Sequence, residues 1–255
     1  MFSDLHGNLE LFNLIMKFFD EREQAGEKVE YYFLGDACDR MPHGYEIMKR
    51  LLADKRCIYL KGNHEDMFFK AAEALHGCCK YDCFDLTKHS NEEWAEYIHS
   101  LSYRDENIDL YLNNGGYYTL RDWAKDGMPR NILLQIATLP AFVELENYVL
   151  MHAGCNEFEY EYKDNSAMIW DRDHFFDDWN VRGTTLIHGH TPVSYLPASI
   201  RHDLHHTTWS PVVYANNTKI CMDTACFHTN RIFVLNLDTK EFIPFVGEIA
   251  MEETL

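Results

Sequence analysis

An alternation in the first half of the chain constrains the fold most: apolar runs that stop at polar clusters, separated by segments of helical period. "VEYYFLGD" (29–36) reads as a buried strand ending in Gly-Asp, and "RCIYLKGNHED" (56–66) as a second strand ending in glycine and another polar run. "GYEIMKRLLAD" (44–54) between them has helical spacing. Ahead of both, "GNLELFNLIMKFFDERE" (7–23) sets Phe12, Ile15, Met16 and Phe19 on one stripe behind Asn8 as N-cap. Strands and helices in this order predict a mainly parallel α/β sheet, whose ligand sites lie beyond the carboxyl ends of the strands.

The polar clusters occupy such positions. "MFSDLHGN" opens the chain, and in a strand Asp4 and His6 would share a face across Leu5, with Gly7-Asn8 turning into the helix. Only Met1, Phe2 and Ser3 precede Asp4, so the first strand is expected to be either very short or trimmed from a longer natural start, and a metal held there to be the weaker one. Four clusters follow: Asp36, Asp39 and Arg40 in "GDACDR"; Asn63, His64 and Glu65 in "GNHE"; His152 in "MHAG"; and His188 with His190 in "HGHT". Taken singly, each reads as turn chemistry or a structural histidine. Five such clusters at the ends of apolar runs together offer the carboxylate, amide and imidazole groups of a metal centre.

Over 69–112 the chain becomes polar and aromatic with helical pieces, among them "SNEEWAEYIHSL", where Ser90 and Glu93 make a capping box. This stretch is expected to be an insertion forming a lid. Beyond the helical "PRNILLQIATLP" (129–140), strands are predicted in "AFVELENYVLMHAG" (141–154), "TTLIHGHT" (184–191), "VVYANNTKICMD" (212–223) and "RIFVLNLDTKEFIPF" (231–245). A single domain over 1–255, with two sheets flanked by helices, accommodates them, and 46% hydrophobic content is enough for its core. A formal net charge of -18 argues against a nucleic-acid partner but allows a phosphate ester at a locally positive metal site. No apolar run approaches a membrane span and no export signal is evident, so no membrane partner and a cytoplasmic location are expected. The eight cysteines imply no disulfide framework, and those in apolar segments read as buried free thiols. His76, Cys78, Cys79 and Cys83 in "LHGCCKYDC" lack paired zinc-knuckle spacing, and "HDLHH" (202–206) reads as a polar loop.

D-x-H-G, G-D-x-x-D-R, G-N-H-E, H-A-G and G-H-T, in that order, resemble the two-metal calcineurin-like metallophosphoesterases. "IWDR" (169–172) and "HGHTP" followed by "MDTA" resemble the bacterial and phage, lambda phosphatase-like branch of the phosphoprotein phosphatases. The resemblance spans nearly the whole chain apart from 69–112 and the last few residues. It implies a four-layer α/β/β/α sandwich of two mixed sheets flanked by helices, with a partly helical insertion. It also implies two divalent cations, Mn²⁺ first, with Fe, Zn or Ni as alternatives. Asp4 and His6 would hold one, Asp36 both, and Asn63, His152 and His190 the other. A hydroxide shared by the cations would attack phosphorus in line, His64 held by Asp39 would protonate the leaving oxygen, and Arg40 and Arg172 would bind phosphate oxygens. The implied activity is a phosphomonoesterase of the protein serine/threonine phosphatase type, acting on a phosphorylated protein or peptide, or on a small phosphoester.

The runner-up is a diadenosine-polyphosphate hydrolase or another small-molecule phosphoesterase. That branch usually replaces the aspartate of D-R and reads G-N-H-D, whereas Asp39 and Glu65 stand here. A non-catalytic scaffold is disfavoured by the intact residue set. Ser3 and Met41 replace glycines usual in the family, and Pro192 stands where many members carry a second histidine. His188, two positions before His190, is expected to pack or to support the site from behind, with an exchange of ligand role with His190 as the alternative.

Overall fold

The computed structural model describes residues 1–82, 89–176, 183–200 and 209–248. Asn8 caps helix α1 (Leu9–Gln24), its side chain accepting from the Leu11 N–H at 3.1 Å. The predicted stripe of Phe12, Ile15, Met16 and Phe19, together with Leu11, faces the core.

Strands β1 (Tyr31–Phe33) and β2 (Cys57–Tyr59) pair in parallel, joined through helix α2 (Gly44–Ala53). Strands β8 (Arg231–Leu235) and β9 (Phe242–Val246) form an antiparallel pair. Met1 and Phe2 join the two pairs into one layer. Met1 exchanges hydrogen bonds with Leu235 at 2.7 and 2.8 Å, and Phe2 bridges Phe33 in parallel, bonded to Tyr32 and Leu34 at 3.1 and 3.0 Å. The strand character ends there. Asp4 and His6 are not strand residues: both have left-handed backbones, with φ of 57° and 46°, so the alternation expected across Leu5 does not apply. A backbone zip onto the next loop carries them instead, from Asp4 N–H to Gly35 C=O (3.1 Å), His6 to Asp36 (2.9 Å) and Gly7 to Ala37 (2.9 Å).

The second sheet has the order β3-β4-β5-β7-β6, from β3 (Phe142–Glu144), β4 (Tyr148–Met151), β5 (Thr185–His188), β6 (Val212–Tyr214) and β7 (Lys219–Cys221). Its three inner strands run parallel and its two edge strands antiparallel. Leu34, Leu60, Leu150, Ile187, Ile220 and Leu235 fill the space between the sheets. Outside the first sheet, α1, α2 and α3 (Asn63–Asp82) cover Phe2, Phe33 and Val234. Outside the second, α8 (Glu157–Glu161) and α9 (Asn165–Trp170) bring Tyr160, Met168 and Ile169 onto Val149, Met151 and Leu186. The result is the α/β/β/α layering expected of the chain.

The expected insertion has no boundary at 69. "GNHE" opens α3 rather than merely ending a strand, and that helix continues through 69, burying Phe68, Ala71, Ala72 and Leu75. Helices α4 (Asn91–Ser102) and α5 (Glu106–Asn113) follow, then α6 (Tyr117–Lys125) and α7 (Arg130–Ala137). The Ser90–Glu93 capping box forms as predicted. Trp94, Ile98, Leu101, Ile108 and Tyr111 belong to the same buried cluster as α1 and the first sheet, so these helices are core rather than a separate cover. The His76 ring meets the Met128 carbonyl at 3.2 Å, while the side chains of Cys79 and Cys83 and the "HDLHH" loop lie outside the described residues. Cys38, Cys155, Cys221 and Cys226 are buried free thiols. Among the described residues no helix is long and apolar enough to cross a membrane.

Trp94 is 1% exposed. Replacing it with alanine is expected to cost about 3–5 kcal/mol in urea unfolding; a loss below about 1 kcal/mol would mark α4 as an independent cover.

Candidate metal centre

The segments that follow Phe2, β1, β2, β4 and β5 meet at one end of the two sheets. Asp4, His6, Asp36, Asp39, Arg40 and His190 all adopt left-handed backbones there, with φ between 46° and 72°. Such conformations cost a non-glycine residue about 1–2 kcal/mol each, so the surroundings must over-determine them. Glu65 does this for the Asp36 loop. Fully buried in the first turn of α3, its carboxylate accepts from the backbone N–H groups of Asp36, Ala37 and Gly62, each at 2.8 Å, and from the Tyr59 hydroxyl at 2.7 Å. A Cβ on Gly35 (φ 100°) would lie 2.5 Å from the Gly62 nitrogen, and one on Gly62 would collide with the Asp36 carboxylate. The two loops therefore stack backbone on backbone, which glycine alone permits.

Backbone carbonyls orient two of the imidazoles. His6 Nδ1 faces Cys38 C=O at 3.0 Å, turning Nε2 to within 3.5 Å of Asp36 Oδ2. His152 Nδ1 faces Leu34 C=O at 2.8 Å, and its Nε2 lies 3.3 Å from Asp36 Oδ1 and 3.0 Å from Asn63 Oδ1. His190 Nδ1 meets the same Asn63 oxygen at 2.9 Å, and its Nε2 is buried without a hydrogen-bond partner. The groups His6–Asp36–His64 and Asp36–His152–His190 each offer ligand atoms within 4.8 Å of one another, and Asp36 is common to both. An orphaned buried ring nitrogen and a carboxylate shared by two imidazole groups fit a pair of cations, and oriented histidines of this kind are characteristic of metal sites.

The electrostatics agree with that fit. Burial, then Arg40 and His64, push His6 well below the usual histidine range; burial, then His152 and Arg172, do the same to His190. Both rings are neutral, the form that ligates metal. Burial would raise Asp36, but His152, His64 and His6 overcome it and hold the carboxyl well below its ordinary range. His152 is correspondingly raised to about 9, burial opposing and the Asp36 carboxylate prevailing. A cation would replace that proton.

Asp4 lies beside these groups. Its carboxylate accepts from the His190 N–H at 3.1 and 3.3 Å and from the Ser3 hydroxyl, and burial and Asp223 raise its pKa well above the carboxylate range. The structure thus brings Asp4, His6, Asp36, Asn63, His152 and His190 into one buried pocket. The first tight group contains His64 in the position expected for Asp4.

Asp39 Oδ2 meets His64 Nδ1 at 2.7 Å. Burial lowers the His64 pKa, but Asp36 and Asp39 outweigh it and raise the ring above the usual histidine range. Arg40 is exposed on this side, its guanidinium 4.4 Å from the Phe227 ring centre and its Nη2 3.4 Å from His64 Nε2. Arg172 donates to Thr191 Oγ1 at 2.9 Å, beside His190. His188 turns away, its Nε2 on the Tyr214 hydroxyl at 2.8 Å, in keeping with a packing role.

Four contributors were not legible as such in the sequence. Glu65 stood in a quoted motif, yet nothing local shows that its carboxylate collects three backbone donors. Tyr111, Asp223 and Phe227 reach the site from distant segments, Tyr111 across 72 residues to Asp39. Glu65→Gln keeps the volume but removes the anion; it is expected to cost about 2 kcal/mol of stability in urea unfolding and to weaken metal uptake measured by equilibrium dialysis. Unchanged values in both measurements would remove Glu65 from this role.

Several solved structures share the fold. A provisionally assigned diadenosine tetraphosphatase aligns with TM-score 0.53 at 15% identity, covering 97% of this chain and 92% of its own. The cold-active protein-tyrosine phosphatase of a psychrophilic Shewanella species aligns with TM-score 0.52 at 14% identity, covering 96% and 76%. A Saccharomyces cerevisiae protein serine/threonine phosphatase similar to human PP5 aligns with TM-score 0.51 at 14% identity, covering 98% and 80%. Identities this low establish the fold and nothing finer. No curated protein matches the sequence. The family model for calcineurin-like phosphoesterases matches residues 1–218, a span that includes every cluster assembled above except Asp223 and Phe227. With that match over most of its length, this α/β chain belongs to the calcineurin-like phosphoesterase family.

Proposed function

We propose that the protein is a two-cation phosphomonoesterase of the bacterial and phage phosphoprotein phosphatase type, hydrolysing phosphoserine or phosphothreonine in proteins or peptides. The observation that carries this reading is the Asp39–His64–Arg40 array at the edge of the Asp36 groups. Serine and threonine alkoxides are poor leaving groups, so their release needs a proton donor aimed at the departing oxygen. His64 has that arrangement: Asp39 holds Nδ1 at 2.7 Å, and Asp36 and Asp39 together keep the ring above the usual histidine range, so that Nε2 carries the proton to be given. A diadenosine polyphosphate releases a nucleotide, a far better leaving group, and has less use for such a donor.

Asp4, His6 and Asp36 would hold one cation, and Asp36, Asn63, His152 and His190 the other. When bound, the cations lower the pKa of water and neutralise charge on phosphate oxygens. Arg40 and Arg172 bind those oxygens, each with a planar guanidinium suited to the task. As the water oxygen joins phosphorus, the bond to the seryl or threonyl oxygen breaks and His64 Nε2 passes its proton to that oxygen. Asp39 stabilises the ring while it is charged. Mn²⁺ is the proposed metal, as the family resemblance implies; a donor set of nitrogen and oxygen alone suits it and equally accommodates Fe, Zn or Ni. The nearby thiols are not donors: Cys226 Sγ faces Asp4 C=O at 3.0 Å, and burial raises its pKa well above the usual thiol value. The net charge of -18 favours a protein or peptide partner over nucleic acid, and the buried thiols suit the reducing cytoplasm.

Two measurements test the reading. Manganese-loaded protein is expected to hydrolyse a phosphoserine peptide faster than diadenosine tetraphosphate and to lose activity on chelation; the reverse preference, or chelator-resistant turnover, would overturn it. His64→Asn is expected to lower kcat on the phosphoserine peptide by about a hundredfold or more with metal content retained, whereas an unchanged kcat would remove His64 as the proton donor.

A further inference from the structure

Helices α5 and α6 reach the Asp39–Arg40 corner at three points. The Tyr111 hydroxyl, from α5, donates to Asp39 Oδ1. Thr119 Oγ1, from α6, accepts the Asp39 N–H at 3.1 Å, and Gly115, between the helices, accepts the Arg40 N–H at 3.0 Å. Asp39 and Arg40 both have left-handed backbones, φ 72° and 65°, so the corner needs external support. Tyr111 belongs to the stretch 69–112, to which the family resemblance assigns no function.

Tyr111 is 0% exposed, and its ring is wedged in place. A Cβ on Gly116 would collide with it, and the Phe68 ring lies 5.9 Å away, centre to centre. The phenol therefore has little freedom, and its O–H points at a fixed spot. A carboxylate hydrogen-bonded through one oxygen alone can still rotate about its last torsion, which is broad and two-fold. In Asp39 one oxygen takes the Tyr111 hydroxyl and the other meets His64 Nδ1, so both ends are tied and the plane of the group is set.

We propose that Tyr111 is a positioning residue for the proton donor: it fixes the Asp39 carboxylate so that His64 keeps Nδ1 on Asp39 and Nε2 toward the leaving oxygen. The inference rests on the reading of His64 as that donor. It gives the helical segment a role in chemistry as well as packing, with the acid assembled across three segments.

Tyr111→Phe removes one oxygen and leaves the ring in its slot. In manganese-loaded full-length protein, kcat on a phosphoserine peptide is expected to fall about tenfold, the loss of one hydrogen bond to a charged group. With p-nitrophenyl phosphate, whose leaving group needs little protonation, the change should stay below about twofold. Adding Tyr111→Phe to Asp39→Asn should lower kcat on the peptide by less than about twofold, because the two act through one array. An equal fall on both substrates, no fall on the peptide, or full additivity with Asp39→Asn would overturn the proposal. The His64 Nδ1–H proton resonance gives a readout free of turnover: it should shift in Tyr111→Phe, and an unchanged resonance overturns the proposal whatever the kinetics. Chelator-resistant or absent hydrolysis by the unaltered protein would instead refute the reaction reading, and the resonance would then decide the positioning role.

Discussion

A buried carboxylate that never faces the reaction holds the site together. Glu65 gathers three backbone N–H groups from the two loops that follow β1 and β2, and a tyrosine hydroxyl besides. Four donors are what an anion in a dry interior requires, since a carboxylate left short of partners there costs several kcal/mol. The dependence runs both ways. Those N–H groups point inward because Asp36 and its neighbours have abandoned strand geometry, and they can do so because Glu65 satisfies them. Asp36 then takes the left-handed conformation that swings its carboxylate toward His6, His64 and His152. The two glycines that let the loops stack, Gly35 and Gly62, belong to the same device.

From that point the charge balance of the pocket follows. Asp36 is the anion about which the imidazoles gather, yet the rings do not share one protonation state. His152 is held protonated by the carboxylate, while burial and neighbouring positive groups keep His6 and His190 neutral. An apolar pocket would not assemble these residues, and a set of fully paired ions would leave no nitrogen open. The unpartnered His190 Nε2 is the visible remainder. A fold that leaves a buried donor or acceptor unsatisfied sacrifices about 1–3 kcal/mol, a sacrifice that metal binding reverses.

How much of this was legible in the sequence depended on the range of the interaction. The α1 stripe, the Asn8 cap and the Ser90–Glu93 box are contacts within four residues, and each formed as read. The ordered clusters were legible too, because each ends an apolar run and strand ends in such a sheet converge. What failed was local geometry. Asp4 and His6 alternate in the sequence as strand residues would, but Phe2 is the last paired residue, and the backbone zip to Gly35, Asp36 and Ala37 takes over. Helix α3 hid the supposed start of the insertion, since its buried stripe continues through Ala71, Ala72 and Leu75 without a break. Tyr111 and Thr119 left no signal at all: their partner, Asp39, lies 72 and 80 residues away, and only packing of α5 and α6 against α2 and α3 closes that distance.

The chain's strong negative charge bears on how such a centre could meet a phosphate ester. At physiological ionic strength the Debye length is about 8 Å, so most of the surface carboxylates are screened from an approaching substrate, and the groups within that distance decide. Arg40 and Arg172 are both exposed, one beside His64 and the other, through Thr191, beside His190. Neither is neutralised by a carboxylate among the described contacts: Arg40 rests on the Phe227 ring, and Arg172 donates to a hydroxyl. A guanidinium stacked on an aromatic face keeps the edge N–H groups other than the one that meets His64 Nε2 open to an oxyanion, which an ion pair would not. The acidic surface is therefore compatible with the phosphate-binding role proposed for the two arginines, the first acting at long range where salt weakens it and the second at contact, where geometry governs.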